Sequence, residues 1–376
     1  MTFDIANDTD GSIPTELDYR PTDLARIDTT YHGNAGELVG EFRYDYAPGV
    51  DYGEGYMLRT ERGVERTEWV NTGEVEWYQF ALAIDSGWEV RGMRQAYEPG
   101  SVSTENWFSP IVRPYVGPGY WAPNRQGGFA QVNVPSWGDG GSAQHTGAFD
   151  IFSGRTDRSQ LTEVWIDGEL FASSPWQAAS VFDLPDGETD WRVRNTATHD
   201  GTYLASSTST VTEWTFSSTG TADDYAEQLL PMLQAYYDVD LDAAGTVGAG
   251  RKAGTPIELG LELGHIAGAI DSAEITGSTL EVRVAGGEWQ PLGLADAASD
   301  APSGPVDPGE DDFVEERAFV KAYSAAIAVP DAGAWVDLRV TATDAAGNTF
   351  SQEIERAFEA APSKKAAPHG SHGGRP

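Results

Sequence analysis

The chain has 376 residues, room for two or three domains, and 40% of them are hydrophobic, so a sizeable core can form. Asp and Glu number 59 against 24 Lys and Arg, a formal charge of −35, which argues against nucleic acid and anionic membranes because both are gripped by basic patches. Cysteine is absent, so disulfides, thiol catalysis and cysteine-ligated zinc are excluded.

No apolar run approaches the ~20 residues of a membrane span. Met1-Thr2-Phe3-Asp4 does not open a signal peptide, so the expectation is either a cytosolic chain or one part of a longer exported polypeptide. The 43 Gly and 21 Pro suit many short strands joined by turns.

In chain order, strand-like alternation begins at 24–42. In RTEWVNTGEVEWYQFALAI (66–84), Trp69 and Val70 lead into a turn at Asn71-Thr72-Gly73. A strand follows with apolar weight on both faces, as expected of one held between layers. MRQAYEPGS (93–101) ends a further strand on a Pro-Gly turn. Residues 107–145 are rich in Gly, Pro and aromatics and read as long loops, where binding functions concentrate. There Trp107, Tyr120, Trp121 and Trp137 are the candidate ligand-binding residues, able to stack on a sugar ring or grip a peptide; the alternative is that they plug a core beneath the loops.

LTEVWIDGELFASS (161–174) is a hairpin turning on Asp167-Gly168, followed by strands in TDWRVRNTATH and STVTEWTFSS. The Ser/Thr/Gly stretch 217–224 reads as a domain boundary. DDYAEQLLPMLQAYY is the one helical candidate, and Pro231 interrupts it. Further strands are expected near 257–263, 279–284 and 324–329, and a closing hairpin at 336–354 turns on Asp344-Ala345-Ala346-Gly347-Asn348. The expected class is therefore all-β: tandem β-sandwich units, the last immunoglobulin-like or fibronectin-like. The expected domains are 1–219, divisible near 150, and 220–360, with an acidic loop insert at 296–316 and a disordered tail at 361–376.

In DVDLDAAG, Asp238, Asp240 and Asp242 match the first three ligand positions of an EF-hand loop and are the candidate metal ligands for surface Ca²⁺. Ala243 stands where that loop needs its turn Gly and Ala249 where it needs its bidentate Glu, so an alternating strand with a wet acidic face is the competing reading. No other cofactor is implied. None of the six histidines has a metal-ligand spacing within a strand or helix, and no nucleophile elbow, phosphate loop or dinucleotide fingerprint is present.

The ordered segments RTEWVNTGEVEWYQ, AYEPGS, VTEWTFSS, LLPMLQAYYDVDLDAAG and VDLRVTATDAAGNTFSQEIERAF resemble the long C-terminal region of secreted actinobacterial subtilisin-like serine peptidases, over roughly 66–358. That family carries its catalytic Asp in Asp-[Ser/Thr]-Gly, its His in His-Gly-Thr-His and its nucleophile in Gly-Thr-Ser-Met-Ala. The last two are missing, Asp85-Ser86-Gly87 is a lone look-alike of the first, and His32-Gly33 precedes it in the wrong order. No residue inherits a catalytic role. The resemblance implies a non-catalytic accessory region, extracellular, with an upstream subtilase catalytic domain in the same polypeptide, aiding folding, stability, or substrate or surface binding. The alternative is a free-standing carbohydrate- or protein-binding module using the aromatic loops 107–137. A third reading is a hydrolase with an acidic pair hidden among the 59 carboxylates.

Overall fold

The computed structural model describes residues 2–6, 15–16, 18–46, 53–117, 119–141, 145–149, 155–220, 226–306 and 317–361. The expected split near 150, the second half of the acidic insert (307–316) and nearly all of the expected tail lie outside them. Among the described residues there is no α-helix; one 3-10 turn, Pro21–Asp23, precedes a chain of strands. The all-β expectation holds. Residues 230–233 of the helical candidate form a buried irregular run between the strands Glu227–Leu229 and Gln234–Val239. Pro231 removes a backbone donor there, while Leu230 N donates to Pro123 O (2.9 Å), Met232 N to Leu230 O (2.8 Å) and Leu233 O accepts from the Trp214 indole (2.6 Å).

Five open sheets make up the described structure. The largest has nine strands, and its centre is formed by Glu188–His199, Ser209–Thr219, Thr349–Ala360 and Trp335–Asp344, each antiparallel to the next. The period-two pattern explains the layering. Along Ser209–Thr219 the residues Thr210, Thr212, Trp214, Phe216 and Ser218 are buried and their neighbours half-exposed. Asp167 (φ 49°) and Gly168 (φ 84°) close the expected hairpin between Arg158–Ile166 and Glu169–Ser174, both with the positive φ that such a two-residue turn requires.

The division expected at 219/220 does not separate two cores. Ser217-Ser218-Thr219 finish a central strand instead of opening a linker, and Ser209–Thr219 pairs with Thr349–Ala360 across that point. One hydrophobic cluster correspondingly draws on residues from Ile111 to Ala360. The described part of the acidic insert is also tied to a sheet edge: Val320 N donates to Pro302 O (2.9 Å) and Phe319 N to Gly304 O (2.9 Å).

Residues 108–117 have no regular structure apart from one β-bridge, at Arg113, and all are buried. A buried irregular segment needs a partner for each backbone polar group, and these come from far along the chain. Phe108 N donates to Asp139 Oδ2 (2.6 Å), Ile111 N to Ala357 O (3.0 Å), Arg113 N to Gly138 O (2.9 Å) and Val116 N to Gln234 Oε1 (2.7 Å). Long loops were expected here; the segment is instead a seam between sheets.

Candidate functional site

The densest chemistry lies beside this seam. Glu105 and Trp107 belong to Val102–Trp107, which runs parallel to Leu24–Tyr31. Asp139 follows the Arg113–Gly138 bridge, and His145 immediately precedes the strand Thr146–Phe149. The fold brings the three titratable groups together in the interior. His145 Nδ1 lies 2.9 Å from Asp139 Oδ1 and Nε2 lies 3.0 Å from Glu105 Oε1, the second contact ionic and off the line of a hydrogen bond. The indole of Trp107 stacks on the imidazole at 4.1 Å with 14° between planes. Asp139 Oδ2 accepts from Phe108 N and Glu105 Oε1 from Asn106 N (3.0 Å). Phe108 holds a positive φ of 59°, a strained backbone for a large side chain, and that amide bond to Asp139 fixes it.

Burial alone would push the His145 imidazole down, but the Asp139 and Glu105 carboxylates outweigh it and hold the ring up at about 10. His145 is therefore an imidazolium at neutral pH, clamped between two carboxylates and wholly inside the protein. A cation hydrogen-bonded at Nδ1, ion-paired at Nε2 and sealed from solvent cannot serve as a general base. It can fix the seam.

The cluster reaches the C-terminal part of the chain through His32, whose Nε2 contacts Asn106 Oδ1 (3.2 Å) and whose Nδ1 contacts Asp242 O (2.9 Å). The other two described histidines are committed in the same manner. His199 Nε2 contacts Ser206 O (3.0 Å), and His265 Nε2 contacts Asp344 Oδ2 (3.1 Å). A second buried ion network joins Tyr31, Glu41, Arg43, Arg66, Glu68 and Gln79. Tyr31 Oη donates to Glu41 Oε2 (2.6 Å), Arg43 bonds Glu41, Glu68, Gln79 and Asp4, and Arg66 bridges both glutamates.

The four candidate aromatics do not form one platform. Trp107 is consumed by His145, and Trp137 is buried with its indole donating to Gln160 Oε1 (2.9 Å), so both plug the core. Tyr120 is half-buried under the Arg91 guanidinium (4.8 Å), its hydroxyl pushed up to about 12, chiefly by burial. Trp121 alone is open, at 55% exposure.

Asp238, Asp240 and Asp242 do not converge either. Among the described residues no three His, Asp or Glu side chains are grouped so as to hold a metal ion. Asp238 and Asp240 are exposed on one face of Gln234–Val239 and its extension, the wet acidic face of the competing reading. The Asp242 carboxylate is occupied within its own turn, accepting from Thr246 N (2.9 Å) and Thr246 Oγ1 (2.9 Å). Glu105, Asp139 and His145 carried no local signal: Glu105 is forty residues from His145, and only the parallel pairing of Val102–Trp107 brings it near. No protein-family model matches this chain, and a search of curated proteins returned no match.

Proposed function

We propose that this chain is the non-catalytic β-sandwich accessory region of a subtilisin-like serine peptidase, exported with an upstream catalytic domain in the same polypeptide and supporting its folding, stability or substrate placement. The observation that carries the reading is where the imidazoles are spent. Nucleophilic proteolysis needs a Ser, Thr or Cys beside a base that is itself oriented. His32, His145, His199 and His265 direct their bonded ring nitrogens to carbonyls, carboxylates, an amide oxygen and a backbone N–H, none of them to a side-chain hydroxyl. The ordered motifs over 66–358 support the resemblance, and the nine-stranded sheet that joins the motif strands Ser209–Thr219, Trp335–Asp344 and Thr349–Ala360 suits a scaffold.

Two measurements test this. The purified chain should cleave casein no faster than buffer and take up no fluorophosphonate label; stoichiometric labelling of any serine overturns the non-catalytic reading. The genomic reading frame upstream of Met1 should encode a subtilisin-like catalytic domain in frame. A frame that starts at Met1, with no peptidase joined to it, removes the accessory role.

A further inference from the structure

A four-stranded sheet orders Ala178–Val181, Phe129–Asn133, Asn124–Gln126 and Glu227–Leu229 side by side. Its inner face gives Ala130, Val132, Ala179 and Val181 to the core. Strand alternation therefore turns Gln126, Phe129, Gln131, Asn133, Ala178 and Ser180 the other way. Phe182 extends that face, 65% exposed, with its ring 5.2 Å from that of Phe129.

At the opposite end Asn133 Nδ2 donates to Trp121 O (3.0 Å) and Val134 N to Gln177 O (2.7 Å), which brings Trp121 and Trp176 there, 55% and 51% exposed. The two aromatic ends are four residues apart along Phe129–Asn133, about 13 Å. Between them lie Gln131, paired in register with Ser180 on one side and Asn124 on the other. Glu227, on the outermost strand, is the one charged residue in these outward positions.

We infer that this face binds an uncharged polysaccharide. Exposed aromatic rings at both ends offer flat apolar surfaces to the C–H faces of sugar rings, and the Gln131 amide and Ser180 hydroxyl between them can both donate to and accept from sugar hydroxyls. The charge pattern selects against ionic ligands: the centre of the face is neutral in a chain of formal charge −35. A protein partner fits less well, because protein interfaces put apolar anchors at the centre and polar groups at the rim, the reverse of this arrangement. A second observation points to hydroxyl donors. Asn124 and Asn133 each donate to the Trp121–Ala122 backbone, yet the acceptor oxygen of each amide is buried without a donor. A small lift of that segment presents two acceptors beside the Trp121 ring.

The inference stands apart from the peptidase reading and is tested separately. The intact chain is run in native gels cast with laminarin, xylan, hydroxyethyl cellulose, galactomannan or soluble starch, and its retardation converted to affinity. At least one of these should retard it. Trp121→Ala and Phe182→Ala should each weaken that binding about tenfold or more, and Gln131→Ala a few-fold. Val102→Ala, an exposed apolar residue on another sheet, should leave it unchanged. All four positions lie outside the core, and unchanged melting temperatures confirm that the variants fold. No retardation in any of the five gels, or retardation indifferent to both aromatic substitutions, overturns the inference. So does a dimer in sedimentation velocity that both substitutions dissolve, because the face would then be filled by a second copy of the chain.

Discussion

The His145 cluster makes a quantitative prediction about alkaline pH. In the folded protein the ring holds its proton up to about 10, while in the unfolded chain it returns to its ordinary value of 6.5. A raised value means stabilisation that is complete below 6.5 and is lost as pH rises through 10. Between those limits folding binds one extra proton, so stability falls by about 1.4 kcal/mol per pH unit from this group. His145→Gln keeps the approximate size of the ring but cannot carry the charge. Removing one partner from a buried ion cluster costs about 3–5 kcal/mol near neutrality. The test is reversible urea unfolding, followed by tryptophan fluorescence at pH 7.5 and 9.0 and constant ionic strength. The stability gap between wild type and variant should shrink by about 2 kcal/mol across that interval. The window starts well above the ordinary range of carboxylates, so Glu105 and Asp139 of the variant add little slope. A gap constant to within about 0.5 kcal/mol would falsify the imidazolium assignment, since that is well below the one-proton change.

Three further outcomes are expected. Arg43→Met leaves Glu41 and Glu68 buried with only Arg66 between them, and should destabilise by about 3–5 kcal/mol in chemical denaturation; adding Glu41→Gln should restore part of the loss, and no restoration argues against a charge-based cause. Asp344 is pushed up by burial, but the His265 and Asn348 donors outweigh that and hold its carboxyl below the ordinary range. Its contribution is therefore present above that range and lost as pH falls through the folded value, so Asp344→Ala should cost about 3 kcal/mol at pH 7 and markedly less near pH 3, by urea unfolding at the two pH values. A fragment of residues 226–361 should show no cooperative thermal transition by circular dichroism, because Thr349–Ala360 loses its partner Ser209–Thr219 and the shared core is opened; a sharp transition would mean that the core divides at 219/220 after all.

The strands were legible because they obey period two over long stretches. Glu188–His199 and Ser209–Thr219 bury alternate residues almost without a break, and each appears in the sequence at nearly its true length. What the sequence could not show was where a half-buried ring points. Trp107 and Trp121 both sit in Gly- and Pro-rich surroundings, yet one stacks on His145 and the other faces solvent. The difference lies in residues 31 to 38 positions away, Gly138-Asp139 and His145, and in a parallel pairing with Leu24–Tyr31 that no local pattern announces. The same non-locality hid the union of the two expected domains. Ser217-Ser218-Thr219 has the composition of a linker, and it becomes strand because it pairs with Glu188-Thr189-Asp190 at the start of the neighbouring strand.

For one candidate site residue the sequence contains the explanation of its local structure. Asp242 begins the pentapeptide Asp-Ala-Ala-Gly-Thr, and Asp344 begins Asp-Ala-Ala-Gly-Asn. The second reads as a turn, the first as either a candidate cation loop or an acidic strand, and the two fold alike. In each the Asp amide donates to the carbonyl of the fifth residue (Asp242 N to Thr246 O, 3.0 Å; Asp344 N to Asn348 O, 3.1 Å) and the Asp carboxylate accepts from that residue's amide (2.9 and 2.8 Å). In each the Gly amide donates back to the Asp carbonyl (2.8 and 3.3 Å), and the Gly takes positive φ, 79° at Gly245 and 92° at Gly347. An aspartate whose oxygens are turned onto its own loop is poorly placed to coordinate an ion, so two copies of one short motif share one local solution. They part only at the fifth side chain. Thr246 closes the first turn with its hydroxyl on Asp242 Oδ2, whereas Asn348 uses its amide to donate to both Asp344 Oδ2 and Asp271 O (2.8 Å), and Asp344 Oδ2 meets His265 as well. Each turn thus holds a histidine from elsewhere in the chain, the first through the Asp242 carbonyl (His32 Nδ1, 2.9 Å) and the second through the Asp344 carboxylate (His265 Nε2, 3.1 Å).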